Sequence, residues 1–349
     1  VGAARIRAAK GLVYAGACFP GGAKRLARGL HLIELAAQEV VFPDGGLPER
    51  NPSLLLEVLR DLVDVRAVLS RAQHEHSALL QTAIDRAAPL LRFFRHGDGR
   101  LALFNGGFEE EDWQIDVVLN QSDAKGKAPL SGPQAGFQRL VGGRTVVLID
   151  SGAPPASGFD ARAHAGTLSF EMSVGRARLI VNCGAAYYDD PDWRDVGRLT
   201  AAHSTLVLGD ANSSQVVPGA LGARPKTVTC QRHDDEGNVW LELSHDGYAG
   251  RFGYVHERKL FLARGGEDLR GEDALIHPDG SRVPRRGRDA TFSLRFHLHP
   301  EVVVDNLSVW EKGGRFVQFH RAGAGIWRLQ TEDIVEVEVE DSSYLGDKG

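Results

Sequence analysis

Phe292-Ser293-Leu294-Arg295-Phe296-His297-Leu298-His299 puts a large apolar side chain at every second position, which only the two-residue repeat of a pleated strand gathers on one face. The polar residues between them, Ser293, Arg295, His297 and His299, share the opposite face, and Pro300 ends the run. Val335, Val337 and Val339 alternate with Glu336, Glu338 and Glu340 in the same way. Turn sequences stand between such runs, among them Gly142-Gly143, between Gln138–Val141 and Arg144–Ile149, and Asp235-Glu236-Gly237-Asn238. Many strands joined by short turns, without helices between them, predict a large antiparallel β-sandwich over residues 100–349.

Working back from there, the period changes at Gly99. Between about residues 5 and 95 the apolar positions recur at helical spacing, as in Leu26, Leu30 and Ile33, then Leu55, Leu59, Leu62 and Leu69. Three helices are expected. The second starts at Asn51-Pro52, where Asn51 can accept a first-turn amide and the missing N–H of Pro52 costs nothing. Asp44-Gly45-Gly46 is the turn before it. The third runs from about Ala72 to Arg95, with Pro89 as a kink or break. Residues 1–99 are thus a helical unit and 100–349 a β unit, an α+β organisation. Asn120–Pro133, rich in Ser, Lys, Gly and Pro, is expected to be an exposed loop.

The 349 residues are 42% hydrophobic, enough for two cores. Lys and Arg number 41 against 46 Asp and Glu, with both signs interspersed, so nothing points to a nucleic-acid partner. No apolar run approaches the roughly 18 to 20 residues of a membrane span. Cys18, Cys183 and Cys230 are scattered and odd in number, which argues against a disulfide framework. The chain begins at Val1 inside a helical pattern, so an upstream segment is expected, and the oligomeric state is unconstrained.

Three segments carry the chemistry: Ala163-His164-Ala165-Gly166-Thr167-Leu168-Ser169-Phe170-Glu171, then Val181-Asn182-Cys183-Gly184, then Ala202-His203-Ser204-Thr205-Leu206. With Asp44-Gly45-Gly46, Glu49-Arg50, Ser244-His245-Asp246-Gly247-Tyr248 and Phe296-His297-Leu298-His299-Pro300, they resemble the bacterial heparinase II/III-like family of polysaccharide lyases over nearly the whole chain. The resemblance implies an α/α-toroid, of which residues 1–99 would be the C-terminal portion, joined to a β-sandwich, with an acidic polysaccharide or oligosaccharide in the groove between them. By the same analogy the protein would work in the periplasm or cell envelope.

A lyase that eliminates across a uronic acid must neutralise the carboxylate, take the neighbouring proton and protonate the leaving oxygen. The residues that do this in the family are altered here: Gly2 and Ala3 stand for an Asn pair, Leu54 for a Tyr, and Arg162 for a His. Arg162 stays protonated and suits a bidentate clamp on a sugar carboxylate. His203, His245 and Tyr248 are the candidate proton carriers, and Arg162 and Asn51 the candidate substrate-binding residues. His164, Asn182 and His203 fall where the family holds a structural zinc through His, Asp and His, with Asn182 weakening the set.

Plainer readings stand beside these. His164 and His203 taken singly are ordinary hydrogen-bonded strand histidines, His297 and His299 are structural or exposed, Tyr248 packs, and Trp193, Trp240, Trp310 and Trp327 are core residues. The leading expectation is β-elimination on a uronate-containing glycan. Its rival is a glycan-binding or scaffold protein that kept the fold and lost the chemistry, as Leu54 suggests; a hydrolase with a carboxylate pair is weaker.

Overall fold

The computed structural model describes residues 2–186, 191–277, 279–281, 291–309, 315–331 and 335–346, without the side chains of 191–192 and 306–309. Trp310 lies outside the described residues. Helices fill the first third: α1 (Ala3–Cys18), α2 (Ala23–Val40), α3 (Pro52–Arg71) and α4 (Ala78–Phe93), followed by α5 (Asp112–Ser122). Four helices, not three, therefore precede Gly97. The expected first helix is split at Gly21-Gly22, and α4 begins at its Ser77 cap, whose Oγ accepts from Leu80 N at 3.3 Å. The α3 start is as read: Asn51 Oδ1 accepts from Leu54 N at 3.0 Å and Pro52 opens the helix. Pro89 sits inside α4, which continues to Phe93.

The helices pack around Ile6, Val13, Ile33, Leu59, Leu62, Ile84 and Leu91, all essentially solvent-free. Ile115, Val118 and Leu119 of α5 belong to that core, as do Phe137 and Leu148 of the first sheet. The change of period at Gly99 is thus not the end of the helical part. The missed helix α5 lies in the stretch read as strand and loop, where five apolar residues in eleven, three of them consecutive, gave little periodic signal.

The strands are β1 (Ser131–Gly132), β2 (Phe137–Gly142), β3 (Thr145–Asp150), β4 (Phe170–Val174), β5 (Ala177–Val181), β6 (Leu206–Leu208), β7 (Val216–Val217), β8 (Ala220–Leu221), β9 (Val228–Asp235), β10 (Asn238–His245), β11 (Val255–Leu262), β12 (Leu269–Ile276), β13 (Phe292–Leu294), β14 (His297–Leu298), β15 (Val303–Val309), β16 (Arg315–Arg321) and β17 (Gly325–Gln330). They form a six-stranded sheet in the order β1-β2-β3-β4-β5-β14, a four-stranded sheet β12-β11-β10-β9, a three-stranded sheet β15-β16-β17 and two small pairs. Every pairing between named strands is antiparallel. A second core gathers Leu140, Val147, Ile149 and Phe170 from the first sheet with Leu241, Leu243, Leu260 and Leu262 from the second and Phe319 from the third.

The two turn sequences do join hairpins, β2–β3 and β9–β10. In the second, Glu236 and Gly237 both adopt positive φ, as a tight two-residue turn demands. The strand read over 292–299 is two: β13 pairs with β6, and after a break at Arg295 and Phe296, β14 pairs with β5. Residues 335–344 have no ladder partner among the described residues, so the Val335–Val339 alternation does not form a strand there. Trp193 is 42% exposed, and Trp327 packs at the edge of the second core.

Candidate functional site

His164 and His203 come together. Their rings meet edge to face with centroids 5.1 Å apart, and His164 Nδ1 lies 3.1 Å from His203 Nε2. The protons can be assigned from the partners. His203 Nδ1 is 2.8 Å from the Leu199 carbonyl, which only accepts, so Nδ1 carries the proton. Burial pushes His203 down to about 4, so at neutral pH the ring is uncharged and its Nε2 is a bare acceptor. His164 Nδ1–H must then donate to it. Burial and the neighbouring His203 hold His164 well below the ordinary histidine range as well. Its Nε2 is therefore an unprotonated lone pair, with no hydrogen-bond partner among the described residues. The pair is a relay, from His164 Nε2 through two imidazoles to a backbone carbonyl.

Two close approaches fix it. A Cβ on Gly166 would fall 2.6 Å from His203 Cδ2, so only glycine lets the chain pass over that ring. Gly106, at φ +78°, turns the chain against Arg162 and His164. A Cβ there would meet the Arg162 carbonyl oxygen at 3.0 Å and His164 Nε2 at 3.6 Å. Arg162 is half-buried, two residues from the dyad on the same segment. Arg198, buried, donates from Nε to the Ala163 carbonyl at 2.9 Å, and its own carbonyl receives Ala165 N at 2.8 Å, which pins the segment from behind.

Asn51 and the helical part reach this place through Asn105. Asn51 Nδ2 donates to the Asn105 carbonyl at 2.8 Å, Asn105 Nδ2 to the Arg50 carbonyl at 3.2 Å, and Asn105 Oδ1 accepts from His164 N at 3.2 Å. Asn51 is 3% exposed with both ends of its amide committed, so the substrate-binding role expected for it is corrected to a helix cap and tie. Leu54, in the first turn of α3, packs partly buried against the helical core, and Gly2 and Ala3 lie against Glu49, whose Oε1 accepts from Ala3 N at 2.9 Å.

The other proton carriers do not join the dyad. His245 is 1% exposed, accepts from Gly247 N at 3.0 Å on Nδ1 and faces His256 with Nε2 at 3.2 Å. Tyr248 is equally buried in a small apolar cluster, donates to the Leu206 carbonyl at 2.8 Å, and is pushed up by burial. Both catalytic assignments are corrected: neither side chain can reach a solute, and each has its polar atoms satisfied. His203, at 2% exposure, is sealed with both nitrogens bonded, so its part is to orient His164, which is buried at 6% but keeps one nitrogen unbonded among the described residues.

Asn182, expected as a metal ligand, has both ends of its amide committed to the backbone. Fully buried, its Oδ1 accepts from Ser204 N at 3.0 Å and its Nδ2 donates to the Leu103 carbonyl at 3.3 Å, a clamp between neighbouring segments. Cys183 turns instead to His297 Nδ1 at 3.3 Å and Ser342 Oγ at 3.7 Å. Zinc takes three or four N, S or O ligands. Two imidazole nitrogens converge here, and no group of three His, Cys, Asp or Glu side chains fit to hold a metal exists among the described residues. Among the described residues the donor set does not fit zinc.

Sequence reading missed Asn105, Gly106 and Gly166 as shapers of the site. It also missed His256, Arg258 and Asp273, although His256 and Arg258 stand at inward positions of β11, alternating with Val255, Glu257 and Lys259. Two ionisable residues on an apolar face were the available signal.

Residues 124–349 match the family described as "Heparinase II/III-like, C-terminal". "FtsZ-localized protein C" of Caulobacter vibrioides is 33% identical over 322 residues, covering 88% of this chain and 54% of that protein. A crystal structure of heparinase III superimposes with a TM-score of 0.65 at 14% identity, over 95% of this chain and 58% of that one. Heparan sulfate lyase HepC from Pedobacter heparinus does so with 0.64 at 17% identity, over 90% and 52%. The chain spans about half the length of the relatives it matches. By the family match over most of its length, and with a heparinase III-like fold of helices and antiparallel sheets, the chain belongs to the heparinase II/III-like family.

Proposed function

We propose that this chain is part of a lyase-like protein that acts on an acidic, uronate-containing glycan by β-elimination, with His164 as the group that handles the proton. The helices would be an arc of an α/α-toroid and the sheets a β-sandwich, with the glycan between them. The observation that carries the reading is the bare Nε2 of His164 at the end of its relay. In the reaction, Nε2 takes the proton beside the carboxylate, the electron pair forms the new C=C bond as the glycosidic C–O bond breaks, and the same Nε2–H protonates the departing oxygen. One imidazole thus serves both steps when the two bonds lie on the same face of the sugar. Arg162 would pair with the carboxylate and favour the carbanion-like charge.

The test is ultraviolet absorbance of the unsaturated sugar on incubation with heparan, hyaluronan, alginate and capsular polysaccharides. Turnover that His164→Gln abolishes and Tyr248→Phe leaves unchanged is the expected result; a flat trace on every substrate overturns it.

A second reading, glycan binding without turnover, is favoured by Leu54, an apolar side chain packed against the helices at the position where the family resemblance puts a tyrosine. Binding without product in the same incubations would establish it. For location, the name of the relative from Caulobacter suggests a place with FtsZ, whereas the family analogy suggests the periplasm or cell envelope. A fluorescent fusion imaged beside labelled FtsZ, together with a periplasm-dependent reporter fusion, separates the two.

A further inference from the structure

Behind the dyad, on the second sheet, lies a buried polar chain that the proposed chemistry does not use. Gly247 N–H donates to His245 Nδ1, so His245 Nε2 carries that ring's proton and gives it to His256 Nδ1 at 3.2 Å. His256 Nε2–H then meets Asp273 Oδ1 at 2.7 Å. Arg258 closes the chain, with Nε 2.8 Å from Asp273 Oδ1 and Nη2 3.2 Å from Oδ2. The partners are cross-strand neighbours, His245 opposite His256 and Arg258 opposite Asp273. His256 and Arg258 are fully buried.

One arm of Arg258 is left over. Its Nη1 reaches out of the sheet and donates to two carbonyls, Leu168 at 2.8 Å and Ser204 at 3.0 Å. Leu168 ends the segment that carries His164 and holds a left-handed φ of 64°, a conformation a leucine keeps only when its surroundings impose it. Ser204 follows His203 directly. A single guanidinium, fixed by a carboxylate on its other edge, thus ties the two segments whose histidines must meet at 3.1 Å. We infer that Arg258, held by Asp273, is a positioning residue for the His164–His203 pair, acting through the Leu168 and Ser204 carbonyls. The inference rests on the reading of that pair as the functional group, but its readout is the pair's proton placement, not turnover.

Both dyad rings carry their proton on Nδ1, the less favoured tautomer of a free imidazole. Imidazole nitrogen NMR of the whole chain, with His164→Gln and His203→Gln used for assignment, reports this directly. In folded Arg258→Met, confirmed by circular dichroism, loss of the two Nδ1–H signals and return of His164 to the Nε2–H form are expected. Arg258→Lys, which keeps one cationic donor, should retain them in part, and Asp273→Asn should weaken them. Signals unchanged in Arg258→Met overturn the inference. If that variant does not fold, unchanged signals in Asp273→Asn overturn it. Wild-type His164 found as Nε2–H would remove both this inference and the proposed chemistry, whereas a flat lyase assay with the Nδ1–H signals intact removes only the chemistry.

Discussion

A methyl group at Gly166 is the smallest change that tests the site. With the new carbon 2.6 Å from a sealed His203 ring, whose two nitrogens are already bonded, neither side can yield without breaking the dyad. Gly166→Ala should cost about 1 to 3 kcal/mol, the usual range for overpacking, read as a lower midpoint in urea unfolding. It should also abolish any turnover. His203 makes stability depend on pH in a definite direction. Its folded pKa of about 4 lies below the ordinary value near 6.5, so the unfolded chain binds the proton first as pH falls. The contribution is complete above about pH 6.5 and is lost between there and about 4. Thermal melts across that window should show a falling midpoint, and His203→Gln should flatten the fall; an equal slope in the variant would refute the assignment. At this scale the sequence was only partly legible. His164 and His203 stood out because their segments matched, but Tyr248 and His245 were misjudged. Whether a tyrosine on a turn faces solvent or an apolar cluster depends on β6, which no local pattern announces.

Elements were read best where their ends carry their own signals. The α3 start was legible because Asn51 and Pro52 act within one turn, and Asn51→Ala should cost about 0.5 to 2 kcal/mol in chemical unfolding, the range for a lost cap. The same substitution should leave glycan binding by the folded protein unchanged, since Asn51 serves structure alone. Strand assignments failed where alternation was present but pairing was not. Residues 335–340 alternate as well as any strand here, yet no neighbour among the described residues offers them a ladder. Residues 292–299 change partners midway, from β6 to β5, because the sheet edges they meet differ. Period fixes which side chains share a face; it says nothing about which edge is free.

In the whole molecule, buried ion pairs add to the apolar contacts of Phe137 and Leu148 in joining the helices to the first sheet. Arg50, at φ 53°, donates to the carbonyls of Ala135, Gly136 and Ala153 and pairs with Asp150 at 2.6 Å, with both side chains 6% exposed. Arg178, fully buried on β5, pairs with Asp98 at 2.7 Å and donates to the Leu101 carbonyl at 3.0 Å. Removing one partner of a buried pair strands the other, so Arg50→Met should cost about 3 to 5 kcal/mol, measured by denaturant unfolding. A loss under about 1 kcal/mol would mean the junction is held by packing alone. None of this was legible beforehand beyond the Glu49-Arg50 match, because the acceptors are backbone carbonyls some 85 to 103 positions away.

Residues 344–346 reach back to the middle of the chain. Leu345 N donates to the Cys183 carbonyl, Gly346 O receives Glu109 N, and the Tyr344 hydroxyl donates to Glu109. The Tyr344–Glu109 contact alone joins residues 235 positions apart. During synthesis the wall carrying Cys183 and the loop carrying Glu109 must therefore wait, incompletely tethered, until residue 346 has left the ribosome. Such long loop closures slow folding, so nascent chains stalled before residue 342 should be cut readily by protease around Glu109, and chains extended past 346 should resist.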